Sequence, residues 1–537
     1  MSPSTCEPAP APEACDASDS RLRAQMPTST LTAALAALAA LAALWGAVKL
    51  ALLLWRRLQL LRRLRRLPGP RPWPLLGTTY LLLRSPWRGL LQLVVELRAR
   101  YSPLFCTWTG PYPEVHLVEA EHIEVILNST KHFEKSYAYK LLHPWLGDSL
   151  LTSQGSKWRS LRKLITPAFH FSILENFLEV FAEKSKVLVD KLQSKADGNG
   201  FDIYPYITRC TLDVICDTAM GTEIYAQEGR DTEYIKAIYD VCTLTLKRIF
   251  SPLLHLDFIY HRTKRGQRYK ECIKILHGFT DNVIKDRRNA LFGVTTISKD
   301  GSEEHEIIGT KRRKAFLDLL LETSQDNTEL SDKMIREEVD TFMFAGHDTT
   351  AVSTTWTIYM LGHHPEIQEK VYAELRDVLQ DSDGAPSMRD LQRMKYLGQV
   401  IRESLRLYPS IPFIQRKLSE DVHVDGFHIP AGCTVTMHIY LAHRNPKHFP
   451  DPDKFDPDNF LPERTQCRHP FAFIPFSGGA RNCIGQRYAL LEEKCILSSI
   501  VRKFTIRSLE DPEEIRMNAH IVLKPTNGVK VALSPRE

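Results

Sequence analysis

The chain's 537 residues can bury a large core, and its 43% hydrophobic and 25% charged content is ordinary for a globular protein. The net charge of +6 has a local source, because Arg56, Arg57, Arg62, Arg63, Arg65 and Arg66 account for all of it. With no basic stripe elsewhere, no nucleic-acid partner is expected. The 11 cysteines are scattered and form no CxxC pair, which argues against a disulfide framework or zinc site and for a reducing compartment.

In chain order, residues 1–30 form a mixed, mildly acidic tail (Glu7, Glu13, Asp16, Asp19, Arg21, Arg23). From Leu31 to Val48 the chain is continuously apolar, and after Lys49 apolar residues resume to Trp55. A spanning helix needs about 20 such residues, so 31–55 reads as a transmembrane anchor with Lys49 reaching to the interface. A cleaved signal peptide would have a shorter apolar core with basic residues before it; here they follow. The same arginines predict a cytoplasmic body, so the sequon at Asn128-Ser129-Thr130 is expected to stay unmodified. Residues 56–75, basic and then rich in proline (Pro68, Pro70, Pro72, Pro74), read as a linker.

Residues 76–537 read as one body. Phe105 to Val118 reads as short strands broken at Gly110-Pro111 and Tyr112-Pro113. Helical periodicity dominates from Ser156 to Leu407. Its longest stretch is Ser331 to Leu361, with Ile335, Val339, Phe342 and Met343 on one face. Strands return at Val422 to Ile429 and Thr434 to Tyr440, and Ile521 to Leu533 reads as a hairpin around Asn527-Gly528. The expected fold is mainly α with small β-sheets.

Three segments carry chemistry. In Phe476-Ser477-Gly478-Gly479-Ala480-Arg481-Asn482-Cys483-Ile484-Gly485, glycines let a tight loop present the Cys483 sulfur to a ligand, and loop N–H groups can tune a bound metal. In Glu403-Ser404-Leu405-Arg406, the two charged residues share a helix face opposite Leu397, Val400, Ile401 and Leu405. Inside the longest helix lies Ala345-Gly346-His347-Asp348-Thr349-Thr350. A mid-helix Gly costs about 1 kcal/mol and reads as the mark of a locally opened helix, with Ala345 and Thr349 on one face.

The pattern Phe-x-x-Gly-x-Arg-x-Cys-x-Gly resembles the heme loop of the cytochromes P450, and the other two segments match that family at the right distances. The resemblance implies the cytochrome P450 fold behind one transmembrane helix. It implies non-covalent heme b (iron protoporphyrin IX) with Cys483 as its axial thiolate in a loop shaped by Phe476 and Gly485. Trp158, Arg162, Arg416 and Arg481 resemble the partners of the heme propionates. Ala345 and Gly346 would form the groove over the heme, and Thr349 with Asp348 would deliver protons to bound dioxygen. Glu403 and Arg406 would brace the core.

Further stretches resemble family 4, whose members are typically fatty-acid ω-hydroxylases: Glu338 to Phe344, Lys157 to Phe171 and Arg468 to Pro475. Pro144 to Gly147 and Arg313 to Leu321 look closest to its V subfamily, which acts on medium-chain and polyunsaturated fatty acids. Two positions depart. Ala345 stands where the family has a Glu that esterifies the heme, implying an untethered heme and looser ω-selectivity. Asn459 stands where the family often has an Arg beside the Glu403–Arg406 pair, implying a weaker brace. The implied partners are O2, a fatty acid, the lipid bilayer and a separate NADPH-cytochrome P450 reductase, with cytochrome b5 as a further candidate; the implied place is the endoplasmic reticulum membrane. Arg159 and Lys163 are candidates for steering an acidic partner, and Leu253 to Tyr260 for dipping into the bilayer. The alternatives are hydroxylation of a sterol or eicosanoid, peroxide isomerisation, or a non-enzymatic heme or lipid-binding role. An intact Asp348-Thr349 pair favours the monooxygenase over the last two.

Overall fold

Leu and Ala are strong helix formers, and so is Arg. The helix α1 (Thr28–Leu64) therefore does not stop at the apolar boundary; it runs 37 residues, about 55 Å at 1.5 Å per residue. Arg56, Arg57, Arg62 and Arg63 of the basic cluster expected in the linker are thus helical, while Arg65 and Arg66 lie in the turn that follows, ahead of Pro68-Gly69-Pro70. Every residue from 32 to 56 is exposed, and the helix is long and apolar enough to cross a membrane. Lys49 sits over the Trp45 ring at 3.5 Å, which offsets part of the cost of its charge in an apolar run.

The computed structural model describes residues 28–73, 76–84, 89–230, 232–292, 315–326, 330–380, 384–512, 514–519 and 521–536. The acidic tail residues, Cys6, Cys15, Pro74 and positions 313 and 314 of the family-4 stretch lie outside them. The chain divides into a unit of residues 1–62 and a body of residues 63–537.

The body is mainly helical. Its labelled helices are α2 (Gly155–Ile165), α3 (Tyr204–Ile215), α4 (Thr232–Ile249), α5 (Asp332–His363), α6 (Lys395–Leu407) and α7 (Gln486–Lys503). Ser331 caps α5 by accepting from the Met334 N–H, and Pro365 prevents its extension. Helix α5 runs through the core with nearly every side chain from Ile335 to Leu361 buried, packed by α3, α6 and α7. Its β-branched residues are accommodated by back-bonding: Thr349, Thr350, Thr355 and Thr357 each donate to the carbonyl four residues earlier, at 2.7–3.0 Å.

The main sheet joins β1 (Leu104–Thr109), β2 (Tyr112–Leu117), β7 (Thr434–Met437) and β4 (Ile414–Lys417) in the order β1-β2-β7-β4. The β1–β2 pair is an antiparallel hairpin, whereas β2 and β7 run parallel. Strands β5 (Val422–Val424) and β6 (Phe427–Ile429) form a separate hairpin. The expected hairpin at 521–533 does not form. Strand β10 (Leu523–Pro525) pairs with β9 (Met517–Ala519), while β11 (Lys530–Pro535) pairs with β8 (Phe504–Ser508) and β3 (Phe201–Asp202). The turn at Gly528 exists, with φ +79°, but distant partners claim its flanks. Leu523 O accepts from Trp356 Nε1 at 2.9 Å, the Leu523 N–H donates to Ser410 O at 2.8 Å, and the Val529 N–H donates to Asp202 at 2.9 Å.

Candidate active site

Cys483 stands just before α7, with Gly485 as the helix's N-cap. The loop is held by the Cys483 N–H donating to Phe476 O at 2.9 Å. Gly479 (φ +67°) needs to be glycine, since a Cβ there would lie 2.0 Å from Leu127 O. The sulfur is exposed only to an interior cavity of about 430 Å³ that Cys483, Phe476, Gly485 and Ala345 all line. Burial raises its pKa, while the Gly485 N–H and the charge of Arg162 lower it. The start of α7 adds a partial positive charge. Burial is the largest of these influences, and the net shift is upward.

Arg162, expected at a propionate, spends its two terminal nitrogens on Asn482: Nη1 donates to the carbonyl at 3.0 Å and Nη2 to Oδ1 at 2.9 Å. Its charge therefore faces the sulfur loop. Trp158 is buried on the cavity wall, stacked on Phe133 and under the Arg481 guanidinium at 4.8 Å. Arg481 donates only to carbonyls, of Phe133 at 2.8 Å, Ser153 at 3.0 Å, and Leu150 and Leu151 at 3.3–3.4 Å. Arg416 is 3% exposed and donates to Gln415 O.

A third cation was missed in the sequence. Lys135 is 8% exposed, lines the same cavity, and lies over the Tyr139 ring at 4.3 Å. Among the described residues no acid pairs with Lys135, Arg416 or Arg481. Burial, then the charges of Arg416 and Arg481, hold Lys135 well below its usual range, and burial and Arg416 push Arg481 down to about 9. No spacing marks Lys135 in the sequence; only the fold brings it to these arginines.

Ala345, Gly346 and Thr349 line the cavity from α5. The helix is continuous there, so Gly346 does not mark an opening. A Cβ at Gly346 would lie 2.6 Å from Ile215 Cδ1, so the glycine admits the close approach of α3. Thr349 donates to Ala345 O at 2.7 Å. Asp348 faces away from the cavity and is fully buried. Its Oδ1 pairs with Lys524 Nζ at 2.6 Å and accepts from Tyr204 at 3.5 Å, and no hydrogen bond joins it to Thr349. Lys524 is a second missed residue. Burial, the largest single influence, lowers its pKa, but the charge of Asp348 together with Tyr239, Cys242 and the hydrogen bond to Asp348 raises it on balance. Lys524, Tyr204 and Tyr239 line a second cavity of about 390 Å³. His347 is buried and donor–acceptor matched only at Nδ1, to Met343 O.

Glu403 and Arg406 have side chains with 0% exposure and pair in two parallel contacts of 2.7 Å. Asn459, the expected weak point, donates to Glu403 Oε1 at 3.2 Å, and its carbonyl accepts from Arg468 at 2.7 Å. Arg468 thus brings a positive charge beside the pair, and Glu403 in turn favours its charged form. On α7, Glu492 and Glu493 are each 1% exposed; burial pushes Glu493 up to about 8 and holds Glu492 well above the usual carboxylate range.

The residues fit a heme. One sulfur lies on the wall of a largely apolar chamber, and the acid-free cations Lys135, Arg416 and Arg481 meet the need of a buried dianionic edge for positive charge. Comparison with known proteins gives the same answer. The family model described as Cytochrome P450 matches residues 67–533. The chain is 45% identical to human cytochrome P450 4V2, covering 87% of this chain and 89% of that protein. It is 42% identical to Drosophila melanogaster cytochrome P450 4c3 over 90% and 91%, and 43% identical to cytochrome P450 4d2 of the same fly over 90% and 97%. These near-equal values do not single out the V subfamily, but together they place the chain in family 4 of the cytochromes P450.

Proposed function

We propose that this heme-dependent oxidoreductase is a membrane-anchored monooxygenase that hydroxylates medium-chain or polyunsaturated fatty acids at or near the ω carbon. The observation that carries the reading is that Cys483 lines a largely apolar chamber that Ala345 and Thr349 also line. Cys483 would ligate heme b, and Lys135, Arg416, Arg481 and Trp158 would hold its acidic edge. When bound, the heme supplies the oxygen chemistry, which its thiolate ligand promotes. Two electrons would come from NADPH-cytochrome P450 reductase, with cytochrome b5 as a second candidate donor; Arg159 and Lys163 are exposed and suit an acidic partner.

The chain's own residues would handle protons and water. Lys524 meets the second cavity and passes positive charge to Asp348 Oδ1. Thr349, the next residue, presents its hydroxyl oxygen to the main chamber while its proton is held on Ala345 O. A proton passing between the two cavities would cross this one residue step of α5, from Asp348 to Thr349. Ala345 offers no carboxylate to the chamber, so the heme is held only through Cys483 and non-covalent contacts.

Helix α1 would anchor the enzyme in the endoplasmic reticulum membrane with the body cytoplasmic. Leu253, Leu256 and Phe258 are 75%, 52% and 63% exposed, a patch suited to entering lipid and admitting substrate. The reduced, CO-treated protein should show the thiolate Soret band, and Cys483→Ala should abolish it while acid extraction frees the wild-type heme. Retention of the band in the variant overturns the assignment. Supplied with reductase and NADPH, the enzyme should hydroxylate fatty acids of graded length near the methyl end; turnover of sterols alone overturns the substrate class.

A further inference from the structure

Strand alternation sends successive side chains to opposite faces of a sheet. In the β1-β2-β7-β4 sheet, Cys106, Trp108, Val115, Val435 and Met437 form one face and are buried in the core. The registers Thr107↔Glu114, His116↔Thr436 and Gln415↔Thr436 put Thr107, Thr109, Glu114, His116, Gln415 and Thr436 on the other face. These six positions are polar, while Phe105 on the same face is apolar and Tyr112 and Lys417 at its margins are exposed. All six residues line the same interior cavity as Ala345, Thr349 and Cys483. A polar surface inside a chamber is costly unless something polar meets it.

Most of these groups satisfy one another. Gln415 Nε2 donates to Glu114 Oε1 at 2.7 Å and to Thr436 Oγ1 at 3.0 Å, and the Thr436 hydroxyl also donates to Glu114 Oε1. Ser136 donates to Gln415 Oε1 at 2.6 Å. Thr107 Oγ1 lies 2.6 Å from His116 Nε2, whose Nδ1 is 2.8 Å from His438 Nε2. Glu114 Oε1 is thus held in place from two sides. Its other oxygen, Oε2, has no hydrogen-bond partner among the described residues, and the residue's remaining exposure is to the cavity.

We infer that this sheet face is the subsite for the carboxyl end of the fatty acid, with Glu114 Oε2 as its hydrogen-bond partner and the Thr107 hydroxyl as a second contact. The inference rests on the lipid substrate read above and adds how the chain is oriented. Burial raises the Glu114 pKa against the hydrogen bonds from Thr436 and Gln415, which favours the protonated form in which its carboxyl can donate. Burial likewise keeps His116 and His438 neutral. The face therefore offers neutral hydrogen bonds, and a lipid carboxyl pairs with the Glu114 carboxyl across one shared proton. With that end fixed at the sheet, the methyl end is left for the part of the wall made by Ala345 and Thr349.

The test is equilibrium binding to the heme-loaded, full-length protein, read as the substrate-induced Soret shift with dodecanoic acid, dodecanol and dodecane. Wild type should bind the acid at least about tenfold more tightly than the alkane, the scale of one hydrogen bond to a charged group. Glu114→Leu should erase that difference and leave dodecane within about twofold. Glu114→Gln keeps a donor and should keep most of the preference. Thr107→Val, close in shape, should reduce the preference and serves if Glu114→Leu does not fold. A preference unchanged in both Glu114→Leu and Thr107→Val overturns the subsite, as does acid binding about tenfold tighter in Glu114→Gln than in wild type. Wild type binding all three ligands equally also overturns the subsite but leaves the lipid reading standing. Binding of none overturns the lipid reading, and the subsite with it.

Discussion

Two sets of buried charges lie in the same body and are treated in opposite ways. Arg406 has five N–H donors, and all five are used: two on Glu403, and one each on the carbonyls of His443, Pro452 and Lys454, at 2.5–3.1 Å. Glu403 is equally provided for, by Asp456 N–H and Asn459 as well. Lys135 and Arg416 are nearly as buried and Arg481 is half-buried, yet they meet carbonyls and aromatic rings, with no paired acid among the described residues. The first set is complete within the polypeptide and acts as a brace. The second is complete only when an anion joins it. Buried charge thus separates framework from site according to whether its partner is in the chain.

Three changes test this division. The largest effect is expected for Glu403→Ala, which strands a buried guanidinium and should cost about 3–5 kcal/mol in urea unfolding; a loss under about 1 kcal/mol would mean that the brace is dispensable. Next is the Asp348–Lys524 pair, which is joined within the chain like the brace but borders the second cavity through Lys524. Asp348→Asn should lower kcat about 10²-fold, the range of a lost proton-transfer group. Lys524→Met should raise the solvent isotope effect in D2O, and Lys524→Arg should restore it. An unchanged isotope effect would move this pair into the framework class.

The smallest effect is the most diagnostic, because its sign reverses. Lys135→Met should stabilise the heme-free protein by about 1 kcal/mol while weakening heme retention about tenfold. The same lysine sets a pH dependence. Its pKa in the folded heme-free protein lies well below the usual 10.5, so in the window between those values the unfolded chain binds the extra proton. Stability of the heme-free protein should therefore rise with pH across that window and fall as pH drops through it. Lys135→Met should remove that slope, and so should heme. A slope that persists in the variant assigns it to another group.

The parts of the site that lie close together in sequence were legible there. The Phe476–Gly485 loop, the Ser331-capped helix and the Glu403–Arg406 spacing each depend on neighbours within about ten residues, and backbone geometry over that range follows from residue type. Gly346 shows the limit. Its position was evident, but its reason, the approach of Ile215 from α3, involves a residue more than a hundred positions away. Asn459 shows the same limit, since Arg468 adds charge through a contact made only in the folded chain.

By itself the sequence determined the long apolar helix, the mainly helical body and the glycine-rich cysteine loop, because helix propensity, hydrophobic period and glycine-rich turns are local properties. Tertiary structure alone decided that β10 and β11 belong to different sheets, that Lys135 joins Arg416 and Arg481, and that Lys524 reaches Asp348. It also decided that polar residues from the four strands of one sheet line the chamber. Each of these depends on which distant surface covers a given side chain, and burial, which sets the energy of every charge and hydrogen bond involved, is a property of the whole fold.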